Sequence, residues 1–230
     1  MIENILHDLI YKTAETLVKN KCKGIVIGLS GTDSILTSII LSKVSTITNI
    51  PIHLMHFSKL SLEEIPDDLL DKKIKMIPSY LWEQRFIIPW LQENYKNLDI
   101  QVINSNKEMS DAERYAYMMD FALSQSHKQD DEQDKTLWLC GTRNKTEDIL
   151  GLYSNISNIV SIQPIISLYK SQVIDICSFF KVPDIAIAKS RMVDCDCGRY
   201  DLIANNIESL DNILIDQEKA RENTPLDIYI

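Results

Sequence analysis

Apolar positions along the chain alternate between two spacings. Short, nearly continuous apolar runs fall at 24–29, 51–57, 98–104, 136–141 and 160–165. Runs of that length and density are expected for strands buried on both faces of a sheet. Between them lie segments whose apolar residues recur at helical spacing, at 3–20, 33–45, 79–96, 108–126, 144–153 and 168–181. Alternation of strand and helix predicts an α/β fold, a single doubly wound parallel sheet of about five strands with flanking helices. In such sheets ligands bind at the carboxyl ends of the strands. The connections at 58–78 and 126–135 are polar, and His127-Lys-Gln-Asp-Asp-Glu-Gln-Asp134 predicts a solvated loop. No repeat, long linker or low-complexity tract divides the chain.

At 230 residues and 45% hydrophobic content the chain can bury one sizeable core, so a single domain over 1–230 is expected. No apolar run approaches the ~20 residues that span a bilayer. The N-terminus, Met1-Ile-Glu-Asn-Ile-Leu-His-Asp8, lacks the basic-then-apolar form of a signal peptide, and a cytoplasmic location without membrane contact is expected. Five scattered cysteines (22, 140, 177, 195, 197) do not form a disulfide framework and are expected to stay thiols. A net charge of −9 argues against nucleic acid as a partner.

Two strand–turn segments carry the candidate chemistry. In Gly24-Ile-Val-Ile-Gly-Leu-Ser-Gly-Thr-Asp-Ser34, a buried strand delivers Ser30, Gly31, Thr32, Asp33 and Ser34 to a helix start, where free backbone N–H groups and the helix dipole favour phosphate. In Leu137-Trp-Leu-Cys-Gly-Thr-Arg-Asn-Lys-Thr-Glu147, Thr142 offers a hydroxyl and Glu147 a second carboxylate. Hard Mg²⁺ is usually held by one or two carboxylates with phosphate oxygens and water, so Asp33 and Glu147 are the candidate metal ligands. Plainer roles compete. Asp33 alone would cap its helix, and Glu147 would be a first-turn acid stabilised by the dipole. His53 and His56 lie on an apolar strand and are expected to pack there; Trp82 and Trp90 share a helical face and are expected in the core.

Ser30-Gly-Thr-Asp-Ser34 is similar to the S-G-G-x-D-S loop of the ATP pyrophosphatases (PP-loop enzymes). Gly141-Thr-Arg-Asn-Lys-Thr-Glu147, then Gly151, Pro164, Leu168-Tyr-Lys-Ser-Gln-Val173 and Phe180-Lys-Val-Pro183 resemble GTGNKSE, G, NP, YKTEV and LGVP of the ammonia-dependent NAD synthetases, in order and nearly in spacing. The resemblance covers about 20–190 and leaves 191–230 as a C-terminal extension. It implies an adenine nucleotide alpha hydrolase-like fold, ATP and Mg²⁺ as cofactors, and a homodimer. It also implies adenylation of a carboxylate with release of pyrophosphate, followed by amidation with ammonia, converting deamido-NAD to NAD. Lys170, matching the lysine of YKTEV, would contact the triphosphate and act with Asp33 and Glu147 in catalysis. His56 and Ser58 fall where the family's nucleoside-binding segment follows the second strand. No attached glutaminase is recognisable, so nitrogen would come from free ammonia or a separate donor.

Departures from the pattern keep alternatives open. The first loop is one residue shorter than S-G-G-x-D-S and lacks a glycine. The family's GDGxxD segment, whose aspartate helps hold deamido-NAD, is represented by the acid-free Ser154-Asn-Ile-Ser-Asn-Ile-Val-Ser161, and of its paired arginines only Arg114 has a counterpart. A PP-loop enzyme adenylating another small molecule and an inactive nucleotide-binding scaffold therefore stand beside the NAD synthetase reading. In the tail, Asp194-Cys-Asp-Cys-Gly-Arg199 carries one C-x-C pair, short of the four ligands of a structural zinc site. Arg199 is a candidate for replacing the lost phosphate contacts by a bidentate grip.

Overall fold

The computed structural model describes residues 2–59, 79–126, 137–191 and 206–222. Strands β1 (Ile25–Leu29), β2 (Ile52–Lys59), β3 (Leu98–Ser105) and β4 (Trp138–Cys140) form one parallel sheet in the order β3-β2-β1-β4. Ile25 pairs with both Ile52 and Trp138, and Ile52 with Leu98, so the strands start level. The chain winds outward from β1 through β2 to β3, then returns to lay β4 on the other side of β1. The gap between β1 and β4 is therefore the switch point of the sheet, where a crevice opens.

The expected fifth strand at 160–165 is reduced to a single bridge, Cys140 to Ile162. Two backbone hydrogen bonds hold it, Ser161 N–H to Leu139 O at 2.8 Å and Gly141 N–H to Ile162 O at 2.8 Å. Pro164 follows and has no N–H with which to extend the ladder. The described sheet thus has four strands rather than about five.

Both faces of the sheet are covered, because successive side chains of a strand point to opposite sides. Ile25, Ile27 and Leu29 face helices α1 (Ile2–Lys19) and α2 (Thr32–Thr48) in the larger core, while Val26 joins Met55, Met118 and Leu139 in a smaller one. That smaller core is roofed by α4 (Asp111–Ser126), whose Met118 lies over Gly28. Helix α2 is buried on nearly all sides, and its buried hydroxyls bond back one turn, as in Thr37 to Asp33 O at 2.7 Å and Ser38 to Ser34 O at 2.7 Å.

The predicted helix at 79–96, here α3, is not uniform. Ser79–Trp82 leads into a π-helical stretch, Glu83–Ile87, before Ile88–Asn94. Pro89 explains the widened turn, since its ring cannot accommodate the carbonyl one α-turn earlier. Trp82 is buried in the core as expected, and Trp90 packs against its edge. The remaining helices are α5 (Lys145–Leu150), α6 (Lys170–Phe179), α7 (Asp184–Ser190) and α8 (Ile207–Glu222). The last two lie beyond the helices read from the sequence. Cys22, Cys140 and Cys177 are buried free thiols. Among the described residues no helix is long and apolar enough to cross a membrane. All but the first residue of the polar connection at 126–135, all but the first two residues of the 58–78 connection, and Cys195, Cys197 and Arg199 lie outside the described residues.

Candidate active site

The turn after β1 is built as a helix start. Gly31 is the N-cap of α2 at φ 92°, a left-handed conformation that a side chain would strain, with open space where a Cβ would stand. The fully buried Ser34 hydroxyl closes the turn, accepting from Ser30 N–H at 2.7 Å and donating to Gly31 O at 2.8 Å. The Gly31 amide faces the carboxylate of Glu83, in the π-helical stretch of α3, and favours its charged form. Of the loop amides expected to face an anion, Ser30 N–H is thus bonded within the protein and Gly31 N–H faces a carboxylate of the protein itself. Glu83 is itself buried and lies 3.3 Å from His56 Nδ1. Burial pushes its carboxyl above the ordinary value, against the lowering effect of His56, the Gly31 amide and Arg114.

Asp33 is not the cap of α2. Its Oδ1 accepts from Asn144 Nδ2 at 2.8 Å, and its Oδ2 is ion-paired with Lys170 Nζ. Lys170 also donates to Thr32 Oγ1 at 3.2 Å, and that hydroxyl shares a hydrogen bond of 2.8 Å with Ser190. Three segments far apart in the chain, the starts of α2, α5 and α6, therefore meet at one carboxylate. Asn144 is also the N-cap of α5, with Glu147 N–H donating to its Oδ1 at 3.0 Å and its own N–H donating to Glu147 Oε2 at 3.3 Å. This capping box means that Glu147 fills the plain role of a first-turn acid and, at the same time, stands beside Asp33. Burial, then the Asp33 charge, push its carboxyl up to about 7, against the pull of Lys170 and the Asn144 amide. Burial lowers the Lys170 ammonium, but Asp33 and Glu147 more than offset this and leave it above its ordinary value.

A cavity of about 600 Å³ opens at the carboxyl ends of β1 and β4. Its walls include Ser30, Asp33, Thr142, Glu147, Phe57 and Arg114. That volume lies in the range of small-molecule sites. Two adjacent carboxylates, one held up to about 7 by burial and then by the charge of the other, are a donor set that a hard divalent cation would suit, since it would relieve their mutual repulsion. Among the described residues no group of three or more His, Cys, Asp or Glu is placed to hold a metal.

The structure thus brings Thr32, Asp33, Glu147 and Lys170 together and places Ser30 and Thr142 on the cavity wall. Ser34 and Gly31 shape the turn. His56 and Ser58 do not line the cavity: both are buried, His56 against Glu83 and Ser58 donating to Gln84 Oε1 at 3.0 Å. His53 bonds Asp99 at 2.7 Å across the sheet.

Several site residues escaped the sequence reading. Arg143 stands where the GTGNKSE motif has glycine. Its guanidinium donates to Asp148 Oδ1 at 3.0 Å, Ser157 Oγ at 2.9 Å and Asn158 Oδ1 at 2.7 Å, and lies 3.3 Å from the centroid of the Tyr153 ring. It ties α5 to the 3₁₀ turn Asn155–Ile159 within the cavity wall. Asn144 and Glu83 had no signal beyond their motif or helix. Asp211 and Glu218 lie past the reach of the resemblance.

Fold and site together define an α/β protein whose small-residue turn and facing acid–lysine cluster sit at the switch point of a parallel sheet. The chain belongs to the NAD synthase family, whose model it matches over residues 5–227. No curated protein gives a significant sequence match. Among solved structures it is similar to an NMN synthetase from Francisella tularensis, with 17% identity over 94% of this chain and 87% of that one, at a TM-score of 0.62. An NH3-dependent NAD synthetase from Campylobacter jejuni gives 18% identity over 94% and 88% of the two chains, TM-score 0.56. A U34-tRNA thiolase from Methanococcus maripaludis gives 13% identity over 98% and 81%, TM-score 0.51. At such identities the likeness establishes the fold, and the thiolase illustrates that one fold hosts different reactions.

Proposed function

We propose that the chain is an ATP-dependent, ammonia-using ligase that forms an amide in the manner of NAD synthetases, with deamido-NAD as the expected acceptor. One observation supports this most directly: Asp33, Lys170, Asn144 and Glu147, drawn from three separate segments, meet beside the β1–β4 crevice, with Asp33 and Glu147 on its wall. The acceptor carboxylate would attack the α-phosphorus of ATP, the bond to the bridging oxygen would break, and pyrophosphate would leave with its electron pair. Ammonia would then add to the acyl carbon, AMP would leave, and the nitrogen would release a proton to solvent. Asp33 and Glu147 would hold Mg²⁺, which supplies neutralisation of phosphate charge. Lys170 adds a fixed cation, and Ser30, Thr32 and Thr142 supply hydroxyls. No protein nucleophile is required, so rate would come from positioning and charge stabilisation. The same proposal includes a homodimer in the cytoplasm, supplied with free ammonia or by a separate donor.

A second reading, adenylation of another carboxylate such as a mononucleotide, is favoured by the wall around Arg143. Where the family segment carries an aspartate, the Asn155–Ile159 turn offers none and is fastened to a buried cation instead. A third, a nucleotide-binding scaffold without turnover, is favoured by Ser30 N–H being taken by Ser34 Oγ and by a carboxylate, Glu83, standing at the Gly31 amide.

One assay separates the three: pyrophosphate and AMP release from Mg-ATP and ammonium, with deamido-NAD, its mononucleotide counterpart or a panel of small carboxylates, comparing the parent with Asp33→Ala. Turnover with deamido-NAD that is lost in the variant upholds the first reading. Turnover with a different acceptor selects the second, and ATP binding without pyrophosphate from any mixture selects the third. Turnover undiminished in Asp33→Ala would overturn the site assignment.

A further inference from the structure

Helix α8 fastens to the candidate site through two carboxylates. Asp211, 1% exposed, accepts from Thr146 Oγ1 at 2.6 Å and from Ser171 N–H at 2.7 Å. The Thr146 hydroxyl in turn accepts from Lys170 N–H at 2.9 Å. Two turns further along α8, Glu218 accepts from Lys145 Nζ at 2.5 and 2.6 Å and from Tyr169 O–H at 2.8 Å. The residues so held, 145, 146, 169 and 171, flank Glu147 and Lys170 without being either of them.

Lys170 opens α6, where the positive end of the helix dipole opposes a cation and where the first N–H groups have no partner inside the helix. Asp211 answers both difficulties. Its carboxylate places a negative charge at that end, takes the Ser171 amide directly, and takes the Lys170 amide through the Thr146 hydroxyl. Because Thr146 also precedes Glu147 on α5, the same three atoms set the spacing between the starts of α5 and α6.

We propose that Asp211 is a positioning residue: acting through Thr146 and Ser171, it fixes the first turn of α6 so that Lys170 is aimed at Asp33. Its consequence for nucleotide binding rests on the function proposed above, whereas its effect on the Lys170 side chain does not. Asparagine at 211 can accept only one of the two hydrogen bonds and turns an amide N–H toward the other donor. Valine at 146 removes the hydroxyl link, while serine keeps it.

The test is amine acylation of the full chain by a small anhydride without added ligand, reading Lys170 by peptide mass spectrometry. Exposed Lys12 serves as the reference and buried Lys189 as the monitor of global loosening. In the parent, Lys170 should label slowly because its side chain is only 15% exposed and ion-paired. Asp211→Asn and Thr146→Val are expected to raise its labelling by about tenfold, the low end of what losing a partner behind a site ligand usually costs. Thr146→Ser should stay near the parent, and the double variant should exceed neither single one, because both cut the same link. Unchanged Lys170 labelling in folded Asp211→Asn and Thr146→Val would overturn the proposal, as would an equal rise at Lys189. If Asp211→Asn does not fold, the pair Thr146→Val and Thr146→Ser decides alone. A parallel Mg-ATP titration should show about tenfold weaker binding in the two disrupting variants. A parent that binds no Mg-ATP would remove the nucleotide reading and leave the acylation result to judge Asp211.

Discussion

Replacing Lys170 by methionine removes the cation between two carboxylates while keeping its aliphatic length. In the parent its ammonium is ion-paired to Asp33 and feels Glu147, and the paired side chains are 15% and 14% exposed. Breaking a fully buried pair by deleting one partner costs about 3–5 kcal/mol, and the residual exposure here reduces that to roughly 2–4 kcal/mol. Asp33 keeps the Asn144 amide at 2.8 Å on its other oxygen, which tempers the loss. For a chain of this size each kcal/mol moves Tm by about 2–4 °C, so a drop of about 5–15 °C is expected. Without Lys170 the Glu147 carboxyl should rise further above about 7, because the cation is one of the groups that hold it down. The assay is thermal unfolding followed by circular dichroism, at fixed pH and salt, of Lys170→Met, Asp33→Asn and the double variant. The double variant should recover at least about 1 kcal/mol of the summed single losses, since neither charge is then left alone. A Lys170→Met midpoint within about 2 °C of the parent, or strictly additive losses, would refute this account of what holds the cluster together.

Glu83→Gln tests the carboxylate that engages Gly31. The folded carboxyl lies above its ordinary 4.5, so its contribution is fully present below that value and is lost as pH rises through the raised one. Thermal midpoints should therefore converge near pH 4.5 and separate toward neutrality in favour of the variant; a constant offset would refute it. Gly141→Ala would place a Cβ 2.9 Å from Val160 Cγ2 and 3.0 Å from Gln163 Cγ. Overpacking there should cost about 1–3 kcal/mol in denaturant unfolding and speed hydrogen exchange at Ser161, and unchanged stability would contradict the close approach.

The order of strands and helices was legible because buried parallel strands and amphipathic helices leave different spacings in the chain. Legibility failed where a single residue outweighed the pattern. Pro164 ended the fifth strand after one bridge, and Pro89 widened a helix that reads as regular. Asp33 and Glu147 could be singled out because each follows a strand in a small-residue turn, and Lys170 because it matches the lysine of the YKTEV segment that Leu168–Val173 resembles. Arg143 was missed because it occupies a glycine position, and Asp211 because it lies beyond both the resemblance and the helices read from the sequence. The engagement of Gly31 by Glu83 had no signal at all, since it joins residues far apart through one turn of π-helix.

By itself the sequence determined the α/β alternation, the small-residue turn after β1 and the candidate acids, because these depend on spacing within short segments; the candidate lysine came from the resemblance of Leu168–Val173 to YKTEV. Only the tertiary structure decided which of them meet. It joined Asp33 to Asn144 and Lys170, and raised the Glu147 carboxyl by burial beside Asp33. It turned the Ser30 and Gly31 amides inward and seated α8 behind the site through Asp211. The physical reason is that contact, burial and field depend on distance in space, and residues 33, 144, 170 and 211 become neighbours only when the sheet has wound and its helices have packed.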